Sequence, residues 1–400
     1  MLAVWGGLAL DGSVTPQDEL QPFIDSALEE IEFVRGSIDT TWGARRAELG
    51  HPEPFNLEYV EISNEDWLAG YPEGLESYRQ YRFPMFRDAI NAAYPDIQVI
   101  SSCSQFDNYS FPEGAIGDYH PYREPDDLVE EFDRFDNARG HIVGEVAATF
   151  PNNGTEFDGP LSDFPFWIGA IGEAVSLIGY ERNADRIDGA MYAPILRNMN
   201  RWQWPVTMVH HAADPALTTK SVSWYIWEAL AASPMSHTLP ASENFGPVFY
   251  VAGKDEYRDD ARIWKGACYN ISSNDIYNTS ASGNSVPVSV AFDGVKAGTK
   301  ANLKQVTNPG GDPYAMVDPL QGNEVVQVTE TVITANSAGA FEFEMVELSM
   351  AVLDTDMEKD QPGRRRGHGH HGRGRKFSGR PGKGHGKGWG RPGKPPGFRP

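Results

Sequence analysis

The sequence predicts an α/β protein: a (β/α)8 TIM barrel short of its first strands, then an antiparallel β-sandwich, then a disordered basic tail. Three observations predict it. Short apolar strands alternate with helical stretches from Leu2 to about residue 231, the pattern of a parallel sheet with right-handed crossovers. From about Phe245 the pattern changes to short β-branched and aromatic runs separated by Asn, Gly, Ser and Pro. After residue 357 almost all apolar content disappears. The expected domains are therefore 1–235, 240–357 and 358–400.

The first apolar run, Leu2–Trp5, reads as a buried strand; it has no basic flank and is too short for a signal peptide. Residues 17–35 have helical period, with Leu20, Ile24, Ala27, Leu28, Ile31 and Val34 on one stripe and acids on the other face. A loop containing Trp42-Gly43 and His51-Pro52 is expected next. Strand 58–62 follows, then a helix over 74–93, strand 97–101 and a polar loop, 103–112. After Ile116-Gly-Asp-Tyr-His-Pro-Tyr122 the spacing predicts a helix over 124–138 and a strand over 141–144. Helices over 161–181 and 184–199, a strand over 205–210 and a helix over 217–231 complete six βα units, whereas a closed barrel needs eight.

In the second region, runs at 248–252, 261–269, 286–292, 301–306, 325–333 and 340–353 read as strands. Phe341-Glu-Phe-Glu-Met-Val-Glu-Leu348 alternates strictly, which predicts one wet and one buried face. Turn chemistry such as Thr307-Asn-Pro-Gly-Gly-Asp-Pro313 separates the runs. The tail is Gly, Arg, Lys, His and Pro, and buries too little to offset its ordering entropy.

The net charge of −22 conceals a division. Residues 361–400 carry 12 Lys and Arg and no acid, leaving 22 basic against 56 acidic residues, or −34, in the rest. A body this acidic repels phosphate and excludes nucleic acid as an expected partner. No apolar run approaches the roughly 20 residues needed to cross a bilayer, so no membrane partner is expected either. Cys103 and Cys268 lie far apart without CxxC spacing and read as two free thiols. No metal triad, phosphate loop or nucleophile elbow is present, so no metal or cofactor is expected. Asparagine sequons at Asn108, Asn153, Asn270 and Asn278 suit a secreted glycoprotein.

The chemistry converges on two strand ends. Tyr59-Val-Glu-Ile-Ser-Asn-Glu-Asp66 runs a buried strand into Asn64 and Glu65, and His141-Ile-Val-Gly-Glu145 ends a second strand in Glu145. Barrel active sites sit at the C-terminal strand ends. Two carboxyls, one protonated and one ionised, are what glycoside hydrolysis requires. Asp66, next along the chain, is expected to crowd Glu65 with like charge. Asn64 is suited to a sugar hydroxyl. Tyr119-His-Pro-Tyr122 adds His120, a donor to substrate or nucleophile, and Tyr122, suited to orient a carboxylate. Trp202-Gln-Trp204 reads as packing or as a pocket wall. Aromatics, 12% of the chain, supply rings for sugar faces as well as core.

Leu2-Ala-Val-Trp5, Glu30-Ile-Glu-Phe-Val-Arg35, Trp42-Gly43, His51-Pro-Glu-Pro-Phe55, Tyr59–Trp67, Asp118-Tyr-His-Pro-Tyr122, Gly144-Glu145 and Asp163-Phe-Pro-Phe-Trp-Ile-Gly-Ala-Ile-Gly-Glu-Ala174 together resemble fungal α-L-arabinofuranosidases of glycoside hydrolase family 51. The resemblance covers about 1–355. It implies a retaining, exo-acting enzyme on arabinan and arabinoxylan side chains, and a secreted one. Position by position it implies Glu65 as acid/base, Glu145 as nucleophile, and Asn64, His120 and Tyr122 as contacts to substrate or nucleophile. The sequence departs from the family in four places. Ser63 stands where Gly is usual, and Val146 where an aromatic follows the nucleophile. The family's first two barrel strands precede the position matched by Met1, and the basic tail is foreign to it. The alternative implied by the short N-terminal side is a catalytically inactive remnant, at most sugar-binding.

Overall fold

The computed structural model describes residues 1–102, 111, 114–152, 161–199, 204, 206–241, 245–269, 285–319 and 321–357. Residues 1–357 form one compact unit. The four sequon asparagines, Cys103, Trp202 and the basic tail lie outside the described residues.

The first strands, β1 (Leu2–Val4), β2 (Tyr59–Ile62), β3 (Gln98–Ser101), β4 (Ile116–Asp118), β5 (Tyr122–Arg123), β6 (His141–Ala148) and β7 (Ile187–Tyr192), make one parallel sheet. Its main path runs β1-β2-β3-β4-β6-β7, with β5 on the far end of β6. Among the described residues β1 pairs only with β2 and β7 only with β6, so the sheet is an open, curled half-barrel rather than a closed barrel of eight strands.

Three expectations for this half need correction. The sixth strand is β7, at 187–192, where a helix over 184–199 was expected. Ile187, Ala190 and Met191 have helical spacing, but a short apolar run fits either period. Asn183 caps the preceding helix, and parallel pairing with β6 decides the outcome. The strand expected at 205–210 is β9 (Val209–His211), which joins β8 (Leu196–Asn198) and β10 (Thr219–Lys220) in a separate small sheet. The loop expected after residue 35 contains a helix, α2 (Thr41–Glu48).

Helix α1 (Gln21–Arg35) buries Ile24, Ala27 and Ile31 against Val60, Ile62 and Val99, as its stripe predicts. Helix α2 starts at Thr40, whose side chain caps Gly43 N, and is locked by Arg46. That guanidinium is 1% exposed and donates to the carbonyls of Phe33, Val34, Gly36, His51 and Pro52. The ribbon over 73–93 comprises α3 (Glu73–Ser77), a π-turn over Tyr78–Arg82 and α4 (Phe83–Ala93). Pro84 has no N–H to give an α-helical ladder, which favours such a register change at this point.

Helix α5 (Pro125–Glu130) ends early in a 3-10 turn, and α6 (Trp167–Arg182) begins only after Pro165. Every residue of α6 from Trp167 to Tyr180 is buried, so it has no polar face. It lies between β6 and the antiparallel region. Gly179 lets it approach α5's continuation, since a Cβ there would meet Phe132 O at 2.6 Å. Helix α7 (Val222–Ala231) closes this half.

Strands β11 (His237–Leu239), β12 (Val248–Asp255), β13 (Ala261–Cys268), β14 (Ser285–Ala291), β15 (Lys300–Thr307), β16 (Gln327–Thr334), β17 (Ala340–Val346) and β18 (Ser349–Asp354) follow. They form an antiparallel six-stranded sheet, β11-β12-β13-β18-β15-β16, and a two-stranded one, β14-β17. Trp264, Leu303 and Leu353 from the first share a core with Val290, Phe341 and Met345 from the second. The run expected over 340–353 is split by Leu348, whose φ of 49° turns the chain. Cys268 is free and buried.

Replacing Arg46 with Met is expected to leave several buried carbonyls without donors. Urea unfolding should show a loss of about 3 kcal/mol.

Candidate active site

At the carboxyl end of β2 the chain turns sharply. Ser63 (φ 71°) and Glu65 (φ 50°) both occupy the left-handed region, which costs a non-glycine residue roughly 1–2 kcal/mol. The usual glycine at position 63 is thus a conformational preference that Ser63 meets under strain. Four contacts hold the turn. Ser63 N donates to Val4 O at 2.8 Å, and the Tyr78 hydroxyl donates to Ile62 O at 2.8 Å. Asp66 lies 2.7 Å from Arg82 Nη1, both side chains fully buried, and accepts from Ser102 Oγ at 2.8 Å. Asp66 therefore faces the core and its counter-ion, instead of crowding Glu65 as expected. Arg82 emerges from the π-turn and also donates to Gly6 O and Gly74 O.

Glu145 is aimed by a second irregularity. The pairing of β6 with β7 shifts register between His141 and Val143 and again between Val143 and Val146, a bulge of the kind that redirects side chains beside active sites. Val146, where the family pattern has an aromatic, is fully buried and pairs with Tyr192. Gly144 meets Asp118 of β4: its N–H donates to Asp118 Oδ1 at 2.7 Å, and a Cβ would lie 2.5 Å from both carboxylate oxygens.

His120, 2% exposed, joins the two strand ends. Its Nδ1 lies 2.9 Å from Glu65 Oε1 and 3.7 Å from Glu145 Oε2, and its Nε2 lies 2.6 Å from Asp118 Oδ2. One carboxylate oxygen each of Glu65 and Glu145 lie within 4.8 Å of one another and of the imidazole. The Tyr122 hydroxyl donates a short hydrogen bond to Glu145 Oε2. Trp204 leans on Tyr122 with centroids 5.1 Å apart, and Trp67 packs edge-on to His120 at 5.9 Å. Asn64 is exposed on the same turn as Glu65.

The structure thus brings Glu65, His120, Tyr122 and Glu145 into one cluster, with Asn64 beside it. Sequence reasoning assigned no role to three further side chains: Asp118, Arg82 and Glu61. Asp118 lay inside a quoted motif, but its partner is 26 residues away. Glu61 is a buried acid inside an apolar strand, 6% exposed, and that is itself a signal.

Burial, the adjacent Asp118 charge and a hydrogen bond to Asp118 push Glu61 up to about 9. Burial alone would lower His120, but hydrogen bonds to Asp118 and Glu65 and the charges of Asp118 and Glu145 override it, raising it to about 10. Burial and then Glu145 raise the Tyr122 phenol, which stays a donor. Among the described residues two triplets have metal-ligating atoms within 4.8 Å: Glu61, Asp118 and His120, and Glu65, His120 and Glu145. They share His120, both of whose nitrogens already face carboxylates, so hydrogen bonding accounts for the arrangement.

A curled parallel sheet with two glutamates at its carboxyl edge defines the class, an α/β fold with half of a parallel barrel. The α-L-arabinofuranosidase 1 domain model matches residues 1–140, and the α-L-arabinofuranosidase C-terminal domain model matches 144–349. Alpha-L-arabinofuranosidase A of Aspergillus niger is 35% identical over 360 residues, covering 88% of this chain and 52% of that protein. The same protein of Aspergillus kawachii gives the same figures. An arabinose-bound MgGH51 α-L-arabinofuranosidase superposes with a TM-score of 0.76 at 26% identity, over 88% of this chain and 54% of the other. An arabinose complex of the Thermotoga maritima enzyme gives 0.58 at 16% identity over 83% and 73%, a likeness of fold alone. The chain belongs to the α-L-arabinofuranosidase family, glycoside hydrolase family 51. It spans about half the length of the curated relatives it matches.

Two substitutions test what holds the site. Arg82→Met strands Asp66 as a buried, unpaired charge and should cost about 3–5 kcal/mol in denaturant unfolding. Gly144→Ala forces β6 away from Asp118 and should cost about 1–3 kcal/mol while abolishing any hydrogen-exchange protection of the residue 144 amide.

Proposed function

We propose that this chain is a retaining, exo-acting α-L-arabinofuranosidase that removes terminal α-L-arabinofuranosyl units from arabinan and arabinoxylan side chains. The observation that carries the reading is the short separation of Glu65 and Glu145 across His120. Retaining glycosidases hold their carboxyls about 5–5.5 Å apart, whereas inverting ones leave room for water between them. Oxygens within 4.8 Å favour the retaining arrangement.

In the first step Glu145 attacks C1 of the arabinofuranosyl unit. Tyr122 donates to Glu145 Oε2, so Oε1 is the attacking atom. As the C1–Oε1 bond forms, the glycosidic bond breaks and Glu65 delivers its proton to the departing oxygen. In the second step Glu65 takes a proton from water, the water oxygen bonds C1, and the ester to Glu145 breaks. Two inversions restore the starting configuration. Asn64 faces the sugar beside the reacting centre, and His120 contacts Glu65 through Nδ1.

The proposed division of labour assigns this chemistry to 1–235, support to the β-sandwich of 240–357, and no catalytic part to 358–400. The substrate is a neutral polysaccharide, in keeping with the charge of the body. No helix among the described residues is long and apolar enough to cross a membrane. The four sequons support a secreted setting.

A second reading, sugar binding without turnover, is favoured by one observation: the parallel sheet is open at β1 and β7. Hydrolysis of an aryl α-L-arabinofuranoside separates the two, with turnover expected and binding of arabinose without turnover supporting the second. Glu145→Ala should lower the rate about 10³-fold or more, and azide should restore product as the inverted glycosyl azide. Glu65→Ala should lose far more activity on natural glycosides than on aryl substrates, whose leaving groups need no proton. Absence of the inverted azide would remove Glu145 from the nucleophile's role.

A further inference from the structure

Beneath the two glutamates lies a second layer of acids that the double displacement leaves unused. Tyr59 packs with Ile100, Ile116 and Ile142 on the inner face of the half-barrel, and Glu61, two residues on, shares that face because strand side chains alternate. Its cross-strand partners, Ala3 and Ile100, carry no charge. The titratable groups that face it are Asp118 and His120 from β4 and the turn after it, and Glu145 from β6. Glu61 is hydrogen-bonded to Asp118, while its Oε1 is buried without a partner.

Two carboxyl groups in hydrogen-bond contact must share a proton. Asp118 has further claims on its charge: Oδ1 accepts from Gly144 N and Oδ2 faces His120 Nε2. Both Asp118 oxygens already face donors, so the shared proton is placed on Glu61. The imidazole is constrained in turn. A neutral ring has one donor and one acceptor nitrogen, yet both nitrogens of His120 face carboxylate oxygens. Only the imidazolium serves both.

We propose that Glu61 is a positioning residue: a neutral acid that donates to Asp118 and so holds the Asp118–His120 pair in place beneath the catalytic carboxyls. This rests on the reading of Glu65 as acid/base. Its consequence is the address of the catalytic proton. An imidazolium N–H directed at Glu65 Oε1 cannot coexist with a proton on that oxygen along the same line. The acidic proton of Glu65 is therefore confined to Oε2, the oxygen left for the leaving group.

The test is the protonation of the His120 ring nitrogens, followed by nitrogen NMR in the full chain without substrate, together with the pH profile of kcat/KM. In the parent both nitrogens should carry protons at neutral pH. Glu61→Gln supplies the same donor without a titrating group, so it should keep the doubly protonated ring and the basic limb of the profile. Glu61→Leu removes the donor, and should lower kcat at least 10-fold with KM little changed while altering the His120 signals. If Glu61→Gln moves the basic limb down by a full pH unit or deprotonates the ring, Glu61 acts as a charge and the proposal falls. It falls equally if a folded Glu61→Leu matches the parent in both signals and kcat. A parent with no turnover would overturn the enzymatic reading, yet the NMR comparison would still decide the role of Glu61.

Discussion

Asp118 is the group on which the site depends. It is a carboxylate, 1% exposed, placed where β4 and β6 approach most closely, and it touches three things at once. It fixes the backbone of β6 through Gly144, orients His120, and lies against Glu61. Each contact satisfies part of its charge, which a buried carboxylate requires. The arrangement in turn explains why position 144 is glycine: any side chain would occupy the space of the carboxylate itself.

The second dependency is strain held by burial. The turn carrying Glu65 uses two left-handed, non-glycine residues. It persists because Asp66 is anchored to Arg82 in the interior, with Ser102 donating to Asp66 and the carbonyls of Gly6 and Gly74 holding Arg82. The π-turn that presents Arg82 and the β-bulge that presents Glu145 are both local departures from regular structure. They lie where Glu65 and Glu145 are brought together from strands that regular geometry would leave pointing elsewhere.

The support for this layer is ordinary packing. Helix α6 is apolar on every side because one face meets β6 and the other the antiparallel sheet. That single core runs from Val143 through Ile171 to Val352, so the half-barrel and the β-rich region stabilise one another as one compact unit. A helix with no wet face was legible as a long apolar stretch. Its start was not, because Phe164 and Phe166 extend the apolar run before Trp167 and only Pro165 breaks it.

Much of the site was legible in the sequence for a definite reason. Asn64-Glu65 and Gly144-Glu145 are local: an apolar run followed by a carboxyl is readable from consecutive residues, and so is His120-Pro-Tyr122. The alternation of strands and helices was readable in the same way, except for helix α2, the strand near 205–210 that joins a separate sheet, and 187–192, where period 2 and period 3.6 coincide over a short run. What tertiary structure alone decided are the pairings across the chain: Asp66 with Arg82, Asp118 with Gly144, Glu61 with Asp118. These set which acids lie against another acid, which against a base and which face the core. No local periodicity encodes them, because a buried charge is defined by its partner, and the partner is brought to it only by the packing of separate strands.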